Sequence, residues 1–214
     1  LISIEGHYSM DGDVPELARF AAMAARHDAL LMVDEAHALG VLGATGRGVA
    51  EQCGVDPARI DIWMGTLSKT LSACGGYVAG RRALVDWLRH TAPGFVYSVG
   101  LAPPLAAAAQ ESLRILHAEP GRVARLQANA ALFLRLVREA GFDAGRSAGL
   151  GIVPVILGSS VAAARMAALL FEAGVNVQPI LYPVVPERSA RLRFFLCCEH
   201  GEDEIAEAVA ALVA

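Results

Sequence analysis

Lysine is almost missing from this chain of 214 residues. Of 18 basic residues, 17 are Arg and one is Lys, at position 69. A codon bias that replaces Lys with Arg wherever either serves explains the scarcity. Under that bias, the surviving Lys marks a place that Arg does not fill. A basic excess is also lacking: the formal net charge is −4, which argues against a nucleic-acid binder. Cys53, Cys74, Cys197 and Cys198 have neither the spacing of a disulfide framework nor that of a zinc site. Cys197 and Cys198 read as neighbours in a strand, pointing to opposite faces as small buried hydrophobes. A reducing, cytoplasmic setting is therefore expected.

Other absences narrow the class further. Thr91 to Gln110 carries no charge over twenty positions, yet Pro93, Gly94, Gly100, Pro103 and Pro104 break any helix that would span a bilayer there. No signal peptide is visible, and no Gly-x-Gly-x-x-Gly follows a strand as in a dinucleotide-binding unit. The chain opens on Leu-Ile-Ser-Ile, a buried-strand pattern without an initiator Met, and reads as cut from something longer.

What remains is 55% hydrophobic, enough for a sizeable core, and is organised as short apolar runs alternating with helical patterns. Strands are predicted over 1–5, 29–34, 60–65 and 76–79. Asp13 is expected to cap a helix from about Pro15 to His27, and further helices cover 81–91, 104–117 and 121–140. In the last of these, Val123, Leu126, Ala130, Phe133 and Val137 form one apolar face. After it come strands over 153–157, 175–180 and 191–198, with helices over 160–173 and 202–213. Four glycines between Gly141 and Gly151 predict a joint. The expected organisation is a mainly parallel α/β large domain over residues 1–120 and a smaller α+β domain over 121–214.

In open α/β sheets, ligands collect at the carboxyl ends of the strands. Three polar clusters fall at such ends: Glu5-Gly6-His7-Tyr8-Ser9-Met10-Asp11-Gly12-Asp13, Asp34-Glu35-Ala36-His37, and Gly65-Thr66-Leu67-Ser68-Lys69-Thr70. An amine can be a Schiff-base nucleophile, whereas a guanidinium stays protonated. A carboxylate can hold a pyridine nitrogen protonated, and hydroxyls with backbone N–H groups near Gly65–Ser68 can cradle a phosphate. Together these groups suit pyridoxal phosphate. Each also has a plainer reading: Asp34 and Glu35 suit a helix start, and Lys69 suits an open surface. His7, His27, His90, His117 and His200 lack a comparable setting and read as structural or exposed.

The clusters Glu-Gly-x-Tyr-Ser-Met-Asp-Gly-Asp, Asp-Glu-Ala-His-x-x-Gly-x-x-Gly-x-x-Gly-Arg-Gly and Gly-Thr-Leu-Ser-Lys-Thr-Leu resemble those of the α-oxoamine synthases. These are fold-type-I pyridoxal-phosphate enzymes that join an amino acid to an acyl thioester with loss of CO₂. The resemblance runs along the whole chain, which corresponds to the later half of a full-length member. It implies that Lys69 carries the cofactor and removes the α-proton, that Asp34 pairs with the pyridinium nitrogen, and that His37 bonds the ring hydroxyl. Lys69 and His37 would then be the catalytic pair. It further implies that Thr66 meets the phosphate, Ser9 sits near the ring, and Ser98 reaches the phosphate of a neighbouring subunit in a homodimer. Arg193 would grip the amino-acid carboxylate. Leu181 stands where many members carry an Arg. The acyl carrier, coenzyme A or an acyl carrier protein, is left open. A fold-type-I aminotransferase or lyase, or a truncated partner subunit without activity, are the competing readings.

Overall fold

The computed structural model describes residues 1–214 and divides into two compact units: Leu1–His7 with Val14–Pro120, and Tyr8–Asp13 with Gly121–Ala214.

The first unit is built on a four-stranded sheet. Strands β1 (Ile2–Glu5), β2 (Leu31–Asp34) and β3 (Ile62–Thr66) are parallel neighbours, and β4 (Gly76–Gly80) pairs antiparallel with β3. Between β1 and β2 lies helix α1 (Leu17–Arg26), which buries Leu17, Ala21 and Ala24, one face at helical spacing. Leu31 and Val33 of β2 are fully buried, the reason this short apolar run forms a strand. Helices α2 (Val49–Cys53), α3 (Arg82–Thr91), α4 (Pro93–Val96) and α5 (Pro103–Ala118) complete the unit. Neither α3 nor α4 buries a residue, and α5 buries only Ala109. Trp87, Phe95 and Tyr97 are 66%, 59% and 89% exposed, an unusual amount of aromatic surface for one segment.

The second unit carries a three-stranded antiparallel sheet in the order β5 (Ile152–Ile156), β7 (Arg191–Phe195), β6 (Gln178–Ile180). Helices α6 (Gly121–Glu139), α7 (Ser160–Glu172) and α8 (Glu202–Val213) pack their apolar side chains into a core with Val153, Val155, Leu192 and Phe194. Phe133 of α6 meets Phe194 of β7 with ring centroids 4.7 Å apart. The expected apolar face of α6 is present, with Val123, Ala130, Phe133 and Val137 buried. No helix is long and apolar enough to cross a membrane.

Four local expectations are corrected. Helix α1 begins at Leu17 without a side-chain cap, because Asp13 belongs to the other unit, where its carboxylate lies 3.7 Å from Arg146. The glycine-rich stretch 141–151 is no joint. It folds within the second unit, with the Ser147 hydroxyl donating to the carbonyl oxygen of Ile152 at 2.6 Å and Asp143 bridging to Ile156. Strand β6 starts only at Gln178 and is an edge strand, where Pro179 costs no ladder bond. Strand β7 stops at Phe195, since Cys197–His200 forms a turn held by Asn129, whose side-chain amide donates to the carbonyls of Cys197 and His200 at 2.9 Å. Cys197 and Cys198 are accordingly half-buried turn residues.

Candidate active site

Parallel pairing puts the carboxyl ends of β1, β2 and β3 on one edge of the first unit's sheet. Glu5, Asp34 and Thr66 are the last residues of the three strands, with Glu5 opposite Asp34 and Asp34 opposite Met64. Polar groups at this edge are available to a ligand because the strands themselves are satisfied by the ladder.

Beyond β2 the chain makes a turn over residues 36–40, so the helix start that Asp34 and Glu35 also suited is not formed. The Ala36 N–H donates to Asp34 Oδ1 at 2.8 Å, which fixes that half-buried carboxylate and leaves its second oxygen for a partner. His37 is half-buried in the same turn, and its carbonyl oxygen lies 3.3 Å from Nδ1 of the buried His7. Glu35, between the two candidates, is only 4% exposed. Burial, opposed by the Val49 N–H and reinforced by the Asp34 charge, pushes its carboxyl up to about 7.

Beyond β3 a second turn gathers hydroxyls. Thr66 Oγ1 donates to the carbonyl of Gly75 at 3.2 Å, accepts from the Ser68 N–H at 3.1 Å, and lies 2.7 Å from Ser68 Oγ. Lys69 follows, exposed, with its carbonyl accepting from the Ser72 N–H at 3.0 Å. The two turns are stitched together. The Thr70 hydroxyl donates to the Leu39 carbonyl at 2.7 Å, and Gly40 packs so tightly on Thr70 that a Cβ there would lie 2.2 Å from Cγ2. Tyr77 of β4 lies across Gly65, where a Cβ would meet its hydroxyl at 2.5 Å. Burial, then the charges of Glu35 and Asp34, push the Tyr77 phenol up.

The structure thus brings Asp34, His37, Thr66 and Lys69 onto two adjoining turns of the first unit. Ser98, also in the first unit, is exposed, and its hydroxyl accepts from Gly100 N–H at 3.5 Å within its own segment. Leu101, three residues later, reaches toward Gly75. Ser9 and Arg193 both belong to the second unit.

Two arginines alternate there with Leu192, and the structure separates their roles. Arg191 is 5% exposed, and its Nη1 donates to Asp11 Oδ1 at 2.6 Å and to the Met10 carbonyl at 3.0 Å, so its charge is spent. Arg193 Nη1 donates to the Ser9 carbonyl at 3.0 Å and its guanidinium stacks 4.7 Å from the Phe195 ring centre. No acidic side chain pairs with Arg193, its Nε is buried without a partner, and burial pulls its pKa down. A cavity of about 540 Å³ opens beside it, with Gln178, Phe195 and His200 among its walls. Nothing local in the sequence distinguishes Glu35 as a buried acid from one that starts a helix, and nothing there places Tyr77 across Gly65.

The model of the aminotransferase class I and II family matches residues 1–212. The 8-amino-7-oxononanoate synthase of Anaeromyxobacter dehalogenans (strain 2CP-C) is 44% identical over 212 residues, covering 99% of this chain and 53% of the relative. The enzyme of the same name from Thermoanaerobacter pseudethanolicus is 40% identical over 211 residues, with the same two shares. Among solved structures, serine palmitoyltransferase of Sphingomonas wittichii superposes with a TM-score of 0.91 at 32% identity, covering 99% of this chain and 53% of that one. The 8-amino-7-oxononanoate synthase of Francisella tularensis gives 0.86 at 28% identity, covering 100% and 62%. This chain therefore spans about half the length of the curated relatives it matches. Its mixed α/β sheet and second small sheet are those of the fold-type-I transferases. The chain belongs to the class I and II aminotransferase family.

Proposed function

We propose that this chain is the later half of a pyridoxal-phosphate-dependent acyltransferase of the α-oxoamine synthase type, which condenses an amino acid with an acyl thioester and releases CO₂ and a thiol. The carrying observation is the pair of stitched turns that hold Asp34, His37, the Thr66–Ser68 hydroxyls and the chain's only lysine. The names of the relatives support the same reading.

The donor set fits the cofactor. Asp34 has one carboxylate oxygen tied to its own turn and one left for a ring nitrogen. The Thr66 and Ser68 hydroxyls, 2.7 Å apart, can turn outward to a phosphate. His37 lies on the same turn as Asp34, on the side of a ring hydroxyl in this reading, and Ser9 and Ser98 are assigned to the ring and to a neighbour's phosphate. When bound, the cofactor supplies an electron sink for a carbanion at the amino acid's α-carbon.

The residues of the chain do the rest. Lys69 would supply the amine that holds the cofactor aldehyde and, once the substrate's own amine has displaced it there, its free Nζ would take the proton from the α-carbon, which no arginine can do at neutral pH. Asp34 keeps the ring nitrogen positive by placing a fixed negative charge beside it. Arg193, with no acidic partner of its own, grips the substrate carboxylate through its planar fork. The exposed Trp87, Phe95 and Tyr97 support a homodimer that covers this surface. The thiol is coenzyme A or an acyl carrier protein. A reducing, cytoplasmic setting belongs to the same reading.

The test is to give the full-length protein an amino acid with and without acyl thioester. Release of free thiol together with CO₂ is expected. Transfer of the amino group to a keto acid without thiol release overturns the reading.

A further inference from the structure

We propose that Glu35 is a positioning residue whose buried carboxyl clips the Gly48–Val49 corner to the base of the turn carrying Asp34 and His37, and whose negative charge strengthens Asp34's hold on a cation. The proposal rests on the reading of Asp34 given above.

The clip is visible in the geometry. Both carboxyl oxygens of Glu35 accept from the Val49 N–H, at 3.0 and 3.4 Å. Gly48 lies against them so closely that a Cβ there would sit 2.1 Å from Oε2, and its φ of +90° already favours glycine. The main chain of Glu35 is equally tied. Its N–H donates to the Met64 carbonyl at 2.7 Å, and its carbonyl accepts from the Ala38 and Leu39 N–H groups at 2.9 and 3.0 Å. One residue thus joins β3, the turn after β2, and the start of α2. Asp34 precedes it and His37 follows two residues on, so movement of Glu35 moves both.

The charge is the second part. No basic side chain pairs with Glu35. The titratable groups that interact with it are the adjacent Asp34 at the end of β2, Tyr77 from β4 and Cys53 from α2, none of them a cation. An amide of the same shape would accept the Val49 N–H without the cost of burying an ionisable group. The carboxyl gives what the amide lacks, a second negative charge next to Asp34. That charge is missing while Glu35 holds a proton and present once it is lost. A cation arriving at Asp34 therefore favours loss of the proton from Glu35, and ionised Glu35 in turn favours the cation.

The experiment compares wild type, Glu35→Gln and Glu35→Ala in the full-length protein freed of cofactor. Pyridoxal phosphate binding is titrated spectroscopically between pH 6 and 8.5, and amide exchange at Val49 is followed without ligand. The ratio of wild-type to Glu35→Gln affinity should rise from near one at pH 6 to about tenfold at pH 8.5, the size of one pKa unit of interaction. Protection of Val49 should survive in Glu35→Gln and fall roughly tenfold or more in Glu35→Ala. A ratio that stays flat with pH, or unchanged protection in Glu35→Ala, overturns the proposal while leaving the site reading intact. Asp34→Asn separates the two levels. If wild type does not bind pyridoxal phosphate, or Asp34→Asn binds it equally well, the reading of Asp34 falls and this role falls with it.

Discussion

The Thr70 hydroxyl donates to the Leu39 carbonyl at 2.7 Å, and this one bond ties the turn bearing Lys69 to the turn bearing His37. The residues are 31 positions apart in sequence, and the contact sets the spacing between a candidate base and a candidate ring ligand.

Thr70→Val keeps the shape of the side chain and removes the donor. It leaves the half-buried Leu39 carbonyl without its partner, so a loss of about 1 kcal/mol in unfolding free energy is expected. Thr70→Ser should restore most of it. Chemical denaturation measures the loss, and a weaker grip on pyridoxal phosphate in Thr70→Val should accompany it.

Gly40 faces the same threonine. Its φ is +78°, and a Cβ would come within 2.2 Å of Thr70 Cγ2. Gly40→Ala therefore combines backbone strain with a clash and should cost about 1–3 kcal/mol. The double variant Gly40→Ala/Thr70→Ser removes the clashing methyl and should recover part of that loss, which thermal unfolding of the set would reveal.

Glu35 gives stability a definite dependence on pH. Its carboxyl stands at about 7 in the folded chain, against an ordinary value of 4.5. Between those values the native state holds a proton that the unfolded state has released, so unfolding free energy falls as pH rises from 4.5 to 7 and levels off above. The contribution lost is about 3 kcal/mol. Denaturation series at pH 5, 6, 7 and 8 should show this slope in wild type and its absence in Glu35→Gln.

Arg191 and Arg193 should part company under mutation. Asp11→Asn weakens the pair with the buried Arg191 and should destabilise the protein by about 1–3 kcal/mol, moderated because Asp11 is partly exposed. Arg193→Lys should instead cost only about 1 kcal/mol, from weakening the bond to the Ser9 carbonyl and the stack on Phe195, while raising KM for the amino acid about tenfold or more, since one ammonium cannot make two parallel bonds to a carboxylate.

The strands were legible as short apolar runs bounded by polar turns: in β2, Leu31 and Val33 are fully buried on one face while Met32 is half-buried on the other. The turns that follow them were legible as polar clusters at strand ends. Hidden from the sequence were contacts between distant positions. Arg191 finds Asp11 across 180 residues, and that contact lies within a unit to which Tyr8–Asp13 belongs despite its place in the chain. This is why Asp13 failed to cap α1. The glycines of 141–151 marked turns correctly but not a joint: Gly141, Gly145 and Gly149 all have positive φ, and Gly149 packs on Leu134 within the one unit that holds the whole stretch. Glu35 was hidden for another reason: an acid beside an acid gives no local sign that one is buried.

The central claim concerns the single lysine. Full-length protein supplied with pyridoxal phosphate should develop a visible absorption band that survives desalting, and Lys69→Ala should lose it while Lys69→Arg fails to restore it. An unchanged band in Lys69→Ala would contradict the account.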